Sequence, residues 1–356
     1  MNATAIKYDG KHKYIRITDI DEETSAFIPN PLSSPDGELE EKYLVKENDI
    51  LFARTGASVG KSYLYNNNDG ELYFAGFLIR ARIKSEYNGT FIYYQTKSKK
   101  YDRWVKLTSM RSGQPGINSQ EYSSYPIALT SKDEQDKIAD FLQLLDNRIS
   151  VQNKIIEDLK ILKKELCNKV FSKGSFVRLG VLIEEVTTRN KFNAYDNVLS
   201  VSNKMGFIKQ SEQFEDRTVA SENKSNYKIV TEGCFAYNPA RINVGSIALL
   251  STYKIGIISP MYVCFKTKSS LDSEYLNFYF QSNVFYKELQ QKLEGSVRQC
   301  LTYENMCEIR IPYVSIEEEK EIATVLKKFV TMIATEEKYL KVLQKQKSYF
   351  LNAMFI

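Results

Sequence analysis

An internal repeat constrains this chain of 356 residues more than any single motif, because a repeated order of elements dictates a repeated architecture. Ile138-Ala139 and Ile322-Ala323 are 184 residues apart, and each pair follows an acidic cluster. Ahead of each cluster lies a proline-marked run that predicts a strand, Tyr125-Pro126-Ile127 in the first half and Ile311-Pro312-Tyr313 in the second. The sequence therefore predicts two related globular parts, each followed by a long helix.

The globular parts mix short strands with short helices. Tyr14-Ile15-Arg16-Ile17 and Lys228-Ile229-Val230 are alternating or β-branched runs typical of strands, and glycine and asparagine mark turns between such runs. This mixture predicts an α+β fold of two pseudo-repeated α/β domains separated by two long helices, instead of a regular βαβ series. The predicted boundaries are 1–130 and 174–314 for the globular domains, and 131–173 and 315–356 for the helices.

Both long helices carry the apolar spacing of a coiled coil. Counted in alternating steps of four and three residues from Ile138 and from Ile322, eight of ten seam positions in each helix are apolar. The pattern predicts that the two helices pair over about five heptads. The polar exceptions fall at equivalent positions 184 residues apart, with Gln152 matching Glu336 and Lys163 matching Lys347.

These polar seam residues also bear on the direction of pairing. A parallel pair would place Lys163 and Lys347, two like charges, in one layer. An antiparallel pair places Lys163 opposite Glu336, and it places Gln152 opposite Lys347. We therefore predict an antiparallel coiled coil in which these polar layers set the register. In the alternative interpretation, the four long side chains reach solvent independently from a loose seam.

Composition excludes several classes of protein. With 43% apolar and 26% charged residues, and with no apolar run of about 20 residues, the chain is not typical of fibrous, disordered or membrane-spanning proteins. The N-terminus lacks the basic-then-apolar order of a signal peptide, so we expect a cytoplasmic protein. Five cysteines without a C-x-x-C pair, and a single histidine at His12, predict no zinc cluster and no site built on several imidazoles.

Three segments resemble parts of enzyme sites but lack residues that the chemistry needs. Gly56 and Gly60 enclose three residues, where a phosphate-binding loop needs four. Asn238-Pro239-Ala240-Arg241 contains half of the Asn-Pro-Pro-aromatic element of an amino-methyltransferase. The carboxylates of Pro35-Asp36 and Glu40-Glu41 lie in a predicted loop, whereas a metal-dependent nuclease usually holds its ligands on a rigid sheet. We therefore predict a chain without an active site of its own.

Basic and amide side chains form a pattern suited to nucleic acid. Six basic residues lie in the fifteen positions from Lys97 to Arg111, against the single acid Asp102. Such a strip can neutralise phosphates, and Arg, Gln or Asn side chains can pair with base edges. For any one residue a solvated polar surface is the simpler interpretation, but pairing across the repeat favours the group. The candidate DNA-binding residues are Arg54, Lys61, Lys99, Lys100, Arg103, Arg111, Gln114, Arg241, Asn243, Arg298 and Gln299.

Taken together, these features resemble the specificity subunit of type I restriction-modification enzymes. The first half carries the more specific match, which includes Tyr125-Pro126-Ile127-Ala128-Leu129, Asp133-Glu134-Gln135-Asp136 and Leu145-Asp146-Asn147-Arg148-Ile149. The second half repeats the pattern more weakly, from Ile311-Pro312 to Ile322-Ala323. The resemblance covers nearly the whole chain.

The resemblance implies that each globular domain is a target-recognition domain. Each would read one half of a split sequence in double-stranded DNA, and the paired helices would act as a spacer of fixed length. The resemblance also implies docking of two methyltransferase subunits, which bring S-adenosylmethionine and the catalytic residues, and of a restriction subunit with translocase and nuclease functions. The chain itself would then need neither cofactor nor metal, because target bases would be flipped into the partner's site.

The two halves differ at their beginnings. About twenty residues separate Phe176 from the first matched strand near Val198, whereas thirteen residues precede Tyr14. A segment like Val177-Arg178-Leu179-Gly180 has no counterpart in the first half. We therefore expect a chain shortened at its N-terminus, in which the first domain lacks an edge strand.

Two non-catalytic alternatives are compatible with the same sequence. A free-standing bipartite DNA-binding protein, such as a repressor, would bind DNA specifically without methyltransferase subunits. A scaffold built on the coiled coil would bind no DNA at any salt concentration.

Overall fold

Two compact units make up the computed structural model, which describes residues 1–22, 24–111, 113–203, 205–213, 223–294 and 299–355. Unit 1 comprises Met1–Asn153 and Lys338–Ile356, and unit 2 comprises Lys154–Glu337. Each unit therefore contains one globular part and a portion of both long helices. The unit boundaries fall inside the helices, whereas the sequence-based division treats each helix as a segment of its own.

Unit 1 combines small sheets with helices. Its strands are β1 (Ala5–Lys7), β2 (Lys13–Ile15), β3 (Ser33–Pro35), β4 (Asp49–Ala53), β5 (Ser62–Leu64), β6 (Leu72–Phe74) and β7 (Leu78–Arg82). Its helices are α1 (Gly89–Gln95), α2 (Lys99–Thr108), α3 (Ser119–Ser123), the first part of α4 (Lys132–Phe171) and the last part of the second long helix. Strand β1 pairs with β3, β2 pairs in parallel with β6, and an antiparallel sheet has the order β5-β4-β7. All five residues of β4 are buried, so this strand crosses the hydrophobic core.

Unit 2 has larger sheets around a similar core. Its strands are β8 (Ser175–Arg178), β9 (Ile183–Glu185), β10 (Val198–Ser202), β11 (Gly206–Lys209), β12 (Lys228–Thr231), β13 (Cys234–Tyr237), β14 (Ile247–Leu249), β15 (Ile255–Ile258), β16 (Val263–Thr267) and β17 (Arg310–Tyr313). Its helices are the last part of α4, α5 (Gln210–Gln213), α6 (Ser273–Tyr279), α7 (Asn283–Lys292), α8 (Tyr303–Cys307) and the first part of α9 (Ile316–Met354). The sheets have the orders β11-β10-β15-β12, β14-β13-β16-β9 and β17-β8. Strand β13 is buried throughout and corresponds to β4.

The internal repeat extends to the residues that cap the helices. In each cap the side chain accepts a hydrogen bond from the backbone N–H three residues later, which satisfies a donor that the helix leaves unpaired. The capping residues of equivalent helices are 184 residues apart, and they are Asn88 and Asp272, Ser98 and Ser282, and Asn118 and Thr302. The predicted α+β architecture with two long helices is confirmed.

One predicted strand is absent. The run Tyr125-Pro126-Ile127 forms no strand, although its counterpart lies in β17. In unit 2, β17 pairs with β8, and the side chain of Gln95 replaces such a partner in unit 1. Its amide donates to the Ala128 carbonyl at 2.9 Å and accepts from the Ala128 N–H at 2.8 Å. The prediction of a strand here was wrong because a strand needs a paired neighbour.

The two long helices run antiparallel. In unit 1 the rings of Phe141 and Phe350 are 4.9 Å apart, and Arg148 donates to the Tyr339 hydroxyl at 2.6 Å. The residue number rises along α4 while it falls along α9, which fixes the direction. Every one of the twenty predicted seam positions is a described residue and is buried or half-buried, as the heptad spacing predicts. Among the described residues, no helix is both long enough and apolar enough to cross a membrane.

Candidate nucleic-acid interface

Two loops of unit 1 that carry predicted DNA-binding residues lie side by side. The Ile117 N–H donates to the Arg54 carbonyl at 2.9 Å, and the Gly56 N–H donates to the Pro115 carbonyl at 2.9 Å. Thr55 and Gly116 form a bridge between these two bonds. The loop after β4 and the loop after α2 are therefore joined by backbone hydrogen bonds, although they are distant in sequence.

Gly56 allows the two loops to approach closely. Its φ of +71° lies in the left-handed region, which favours glycine, and a Cβ at this position would lie 2.9 Å from Nε2 of Gln114. Arg54 and Gln114 are both exposed, one on each loop. The structure thus brings together two candidate residues, one with a guanidinium and one with an amide, on adjacent loops.

Arg111 is exposed but is held by an ion pair. Its guanidinium contacts the carboxylate of Glu121, and the same carboxylate accepts a hydrogen bond from the Asn118 N–H at 2.8 Å. These two contacts, the Arg111 bond first, lower the pKa of Glu121. Glu121 therefore orients the Arg111 side chain. Glu121 was not among the residues predicted from the sequence, although the Asn-x-x-Glu spacing of a capping box could have drawn attention to it.

Helix α2 presents a basic face next to the first loop. Lys99, Lys100 and Arg103 are exposed, whereas Tyr101 is buried and donates its hydroxyl to the Gly60 carbonyl at 2.9 Å. A Cβ on Gly60 would lie 2.5 Å from a methyl carbon of Val105 on α2. Gly60 therefore serves to seat α2 against the loop.

Lys97, another residue of the predicted basic strip, is half-buried, and its amine is engaged by neighbouring side chains. Its Nζ donates to the hydroxyls of Ser25 and Ser62 at 2.8 and 2.7 Å and to the Ser62 carbonyl at 3.0 Å, and it lies 4.6 Å from the centre of the Tyr93 ring. Burial, with a smaller contribution from nearby Lys347, lowers the pKa of Lys97 to about 7. Because this amine already has hydrogen-bond partners, the exposed Lys99 and Lys100 are better placed to bind phosphate.

Lys61 is less accessible than the other candidates. It is half-buried, its Nζ lies 3.9 Å from a carboxylate oxygen of Glu22, and it lines a cavity of about 620 Å³ together with Lys97, Lys106 and Lys347. The distance to Glu22 marks a loose ion pair that a phosphate could replace.

Unit 2 repeats the two-loop arrangement. The Leu301 N–H donates to the Pro239 carbonyl at 3.1 Å, and the Tyr237 hydroxyl donates to the Thr302 carbonyl at 3.1 Å. These bonds join the loop after β13 to the segment before α8. The loop after β13 carries Arg241, which is exposed, and Asn243, which is half-buried; the segment before α8 carries exposed Gln299. The predicted residue Arg298 lies outside the described residues.

The seam lysines lean towards the globular part of their own unit. Lys347 Nζ contacts the Asp146 carboxylate and lies 5.8 Å from the centre of the Tyr94 ring. Lys163 Nζ donates to the side-chain carbonyl of Gln281 at 2.9 Å and lies 5.6 Å from the centre of the Phe278 ring. Tyr94 and Phe278 are equivalent residues of the repeat, so both lysines lie near the ring of the same helix of the globular part, while the ion pair of Lys347 joins α9 to Asp146 of α4.

The other two seam residues occupy the predicted interface between helices. Gln152 is buried and Glu336 is half-buried, and both take part in polar interactions. The specific pairing of Lys163 with Glu336 and of Gln152 with Lys347 stays a prediction.

The described residues contain no cluster of metal-binding side chains. Within the described residues, no group of three or more His, Cys, Asp or Glu side chains could hold a metal ion. The Nδ1 and Nε2 atoms of His12 lie 2.7 Å from Asp9 and 3.7 Å from Glu71, so the imidazole sits between two carboxylates at the surface.

Each unit thus carries joined loops with exposed arginine and amide side chains, which are side chains that can pair with base edges. A family model described as the type I restriction-modification DNA specificity domain matches residues 2–160 and again residues 183–345. The chain belongs to this family. It is the DNA specificity subunit of a type I restriction-modification system, a subunit that is not itself catalytic.

Two relatives of this specificity subunit come from one archaeon. The chain is 24% identical over 347 residues to the type I restriction enzyme MjaVIII specificity subunit of Methanocaldococcus jannaschii, covering 87% of this chain and 79% of that protein. It is 25% identical over 339 residues to the putative MjaX specificity subunit of the same organism, covering 88% and 79%.

Solved structures share the fold. The S subunit of a type I restriction-modification system from M. genitalium matches with a TM-score of 0.60 at 14% identity, over 100% of this chain and 93% of that one. A chain from a structure concerning complex assembly and conformational transition of the type I system matches with a TM-score of 0.59 at 14% identity, over 96% and 90%. At this identity the likeness supports the fold alone.

Proposed function

We propose that each unit reads one half of a bipartite DNA sequence through its pair of joined loops. The observation that carries this proposal is that both units hold an exposed arginine loop next to an exposed glutamine by equivalent backbone bonds, Ile117 to Arg54 and Leu301 to Pro239. Arginine can donate two hydrogen bonds to guanine, and glutamine can pair with adenine. The spacing between the half-sites is then set by the helices between the units.

Contacts with the phosphate backbone are assigned to the basic residues outside these loops. In unit 1 the exposed face of α2, with Lys99, Lys100 and Arg103, neutralises phosphates, and Lys61 exchanges Glu22 for a phosphate. Arg111 remains oriented by Glu121 and contacts a base edge or a phosphate next to Gln114. In unit 2 the same roles fall to Arg241, Asn243, Gln299 and Arg298.

The catalytic steps belong to partner subunits. Two methyltransferase subunits dock on the helices, bind S-adenosylmethionine and methylate a base flipped out of each half-site. A restriction subunit with translocase and nuclease functions joins the same complex. The specificity chain supplies position and sequence choice, without a cofactor or metal of its own.

The decisive test is a methylation map of the DNA of the organism that carries the gene. We expect one split motif to lose its methylated bases when the gene is deleted and to regain them on complementation. An Arg241→Ala chain should relax the motif in one half, and an Arg54→Ala chain should relax it in the other half, each by about 1–3 kcal/mol of discrimination. Lys7→Ala, at an exposed position of β1 outside both long helices and both pairs of loops, is the control and should leave the map unchanged.

A methylation map that is the same with and without the gene would contradict the proposal. If, in that case, the purified chain still bound a defined split sequence without methyltransferase subunits, a repressor-like role would replace the proposed role in methylation. Relaxation of the same half-site by both arginine variants would contradict the division of the motif between the two units.

A further inference from the structure

The most exposed large apolar side chain of the described residues lies on a loop of unit 2 that has no role in the proposed function. Phe192 is 92% exposed, whereas the next, Met205, is 73% exposed. The loop connects β9 to β10. A phenylalanine kept almost wholly in water forgoes the burial that normally stabilises such a residue, which points to a ligand for the ring.

The loop is built to hold Phe192 in this position. The Asn190 side chain is buried, donates to the Tyr195 carbonyl at 2.9 Å and accepts from the Tyr195 N–H at 3.2 Å. The Asn193 N–H donates to the Asn190 carbonyl at 2.8 Å, which closes a tight turn. Lys191 and Phe192 occupy the two central positions of this turn, so both side chains project from its tip.

The base of the loop is anchored as firmly as the turn. The Asn190 N–H donates to the Tyr227 carbonyl at 2.9 Å, and the Ile229 N–H donates to the Thr188 carbonyl at 2.8 Å. Arg189 forms a bridge with Lys228 of strand β12. Asn193 has a φ of +48°, a conformation that asparagine tolerates better than most residues. The ring is therefore presented by a preformed loop, and a ligand need not order it.

The surroundings of the ring favour nucleic acid over protein. Phe192 is flanked by the exposed cations Arg189 and Lys191 and by the exposed amide of Asn193. A protein-docking surface typically has a contiguous apolar centre, whereas a lone aromatic ring between cations is typical of side chains that stack on bases or wedge between them.

We propose that Phe192 stacks against a base of the DNA bound by unit 2, with Lys191 and Arg189 on the neighbouring phosphates. This inference rests on the proposed function, because it assumes that unit 2 binds DNA. It adds a contact that depends on the face of a base and not on its hydrogen-bonding edge. Asn190 is a positioning residue, since it acts by holding the loop.

The test uses the full chain with its methyltransferase partners and a duplex carrying the split motif found by methylation mapping. We expect Phe192→Ala to weaken binding by about tenfold and Phe192→Trp to restore it, because loss of one stacked base is of that order. Met205→Ala is the matched control and should bind as the parent does. Melting curves of all variants should coincide, because an exposed ring contributes little to the fold.

A second readout reports the stacking itself. With 2-aminopurine placed at successive positions of the half-site assigned to unit 2, one position should change fluorescence on binding, and Phe192→Ala should abolish that change. Unchanged affinity and fluorescence in Phe192→Ala, with normal binding by the parent chain, would overturn the inference and leave the proposed function intact. Unchanged DNA binding with weaker methyltransferase assembly would overturn it in favour of a protein contact. No DNA binding by the parent complex would overturn both.

Discussion

The two units support equivalent segments in different ways. In unit 2, β17 pairs with β8 and sets Ile311 opposite Val177, so the strand is covered and Ile311 is 1% exposed. In unit 1 the equivalent Ile127 is only half-buried, and the side chain of Gln95 satisfies the backbone of Ala128. One amide can satisfy backbone hydrogen bonds, but it cannot bury the apolar area that a strand covers. The repeat therefore keeps backbone hydrogen bonds at this segment in both units, but it buries the apolar side chain fully in unit 2 alone.

A matched pair of core substitutions should have the largest effect. We expect Ile311→Ala to lower the free energy of unfolding of unit 2 by about 2–4 kcal/mol, because it leaves a cavity in a closed core. Ile127→Ala should lower that of unit 1 by about half as much, since the side chain is already partly in water. Hydrogen exchange resolved along the chain would measure the two units separately. Equal losses of unfolding free energy in the two variants would contradict the difference in burial between Ile311 and Ile127.

A second pair of equivalent residues differs in charge. The Gln135 side chain accepts from the Asn88 N–H at 3.0 Å and donates to the Thr130 carbonyl at 2.8 Å. Its counterpart Glu319 accepts from the Asp272 N–H at 2.7 Å, but its other oxygen, Oε1, is buried without a hydrogen-bond partner among the described residues. Burial, with the nearby Asp272 charge, raises the pKa of Glu319 to about 7 although the Asp272 N–H opposes the shift.

Glu319→Gln should therefore stabilise unit 2, and the gain should depend on pH. The folded state favours the protonated carboxyl, so the parent chain loses stability as the pH rises from about 4.5 to about 7 and stays lower above that. We expect a gain of about 1–3 kcal/mol at pH 8 and little gain at pH 4, measured by chemical unfolding at both pH values.

The reciprocal change, Gln135→Glu in unit 1, is the control and should destabilise at pH 8. A gain from Glu319→Gln that is equal at both pH values would contradict a proton-dependent cost.

The two seam lysines should give the smallest difference. Lys347→Met leaves the Asp146 carboxylate with the Tyr94 hydroxyl but without its cation, whereas Lys163→Met removes a partly buried amine whose partner, Gln281, is neutral. We expect losses of about 1 kcal/mol for Lys347→Met and close to zero for Lys163→Met. Equal losses of stability for the two variants in thermal unfolding would contradict a contribution from the Asp146 carboxylate.

The sequence-based predictions were accurate where the interactions are local in sequence, and they were less accurate where the interactions join distant segments. Every seam position predicted from the heptads of α4 and α9 is buried or half-buried, because helical periodicity is a local property. The strand at Tyr125-Pro126-Ile127 was wrong, since pairing depends on a segment elsewhere in the chain. The partners of Lys97 were not predictable for the same reason, because Ser25 and Ser62, which accept hydrogen bonds from its amine, are far away in sequence.

The candidate interface shows the same limit. Sequence pairing across the repeat selected Arg54, Gln114, Arg241 and Gln299, and the structure places them on joined loops. Sequence pairing did not reveal that Glu121 holds Arg111, because the tertiary fold determines which charged side chain lies next to another.

The way in which the chain is divided between the two units has a consequence for the order in which they fold during synthesis. Unit 2 is continuous along the chain, from Lys154 to Glu337, and can complete its core as soon as it leaves the ribosome. Unit 1 begins the chain but needs Lys338–Ile356, and in its core the ring of Phe355 packs 5.4 Å from that of Phe91. The first half to be made is therefore the last to be finished, and at about 5–20 residues per second it spends more than ten seconds with an incomplete core.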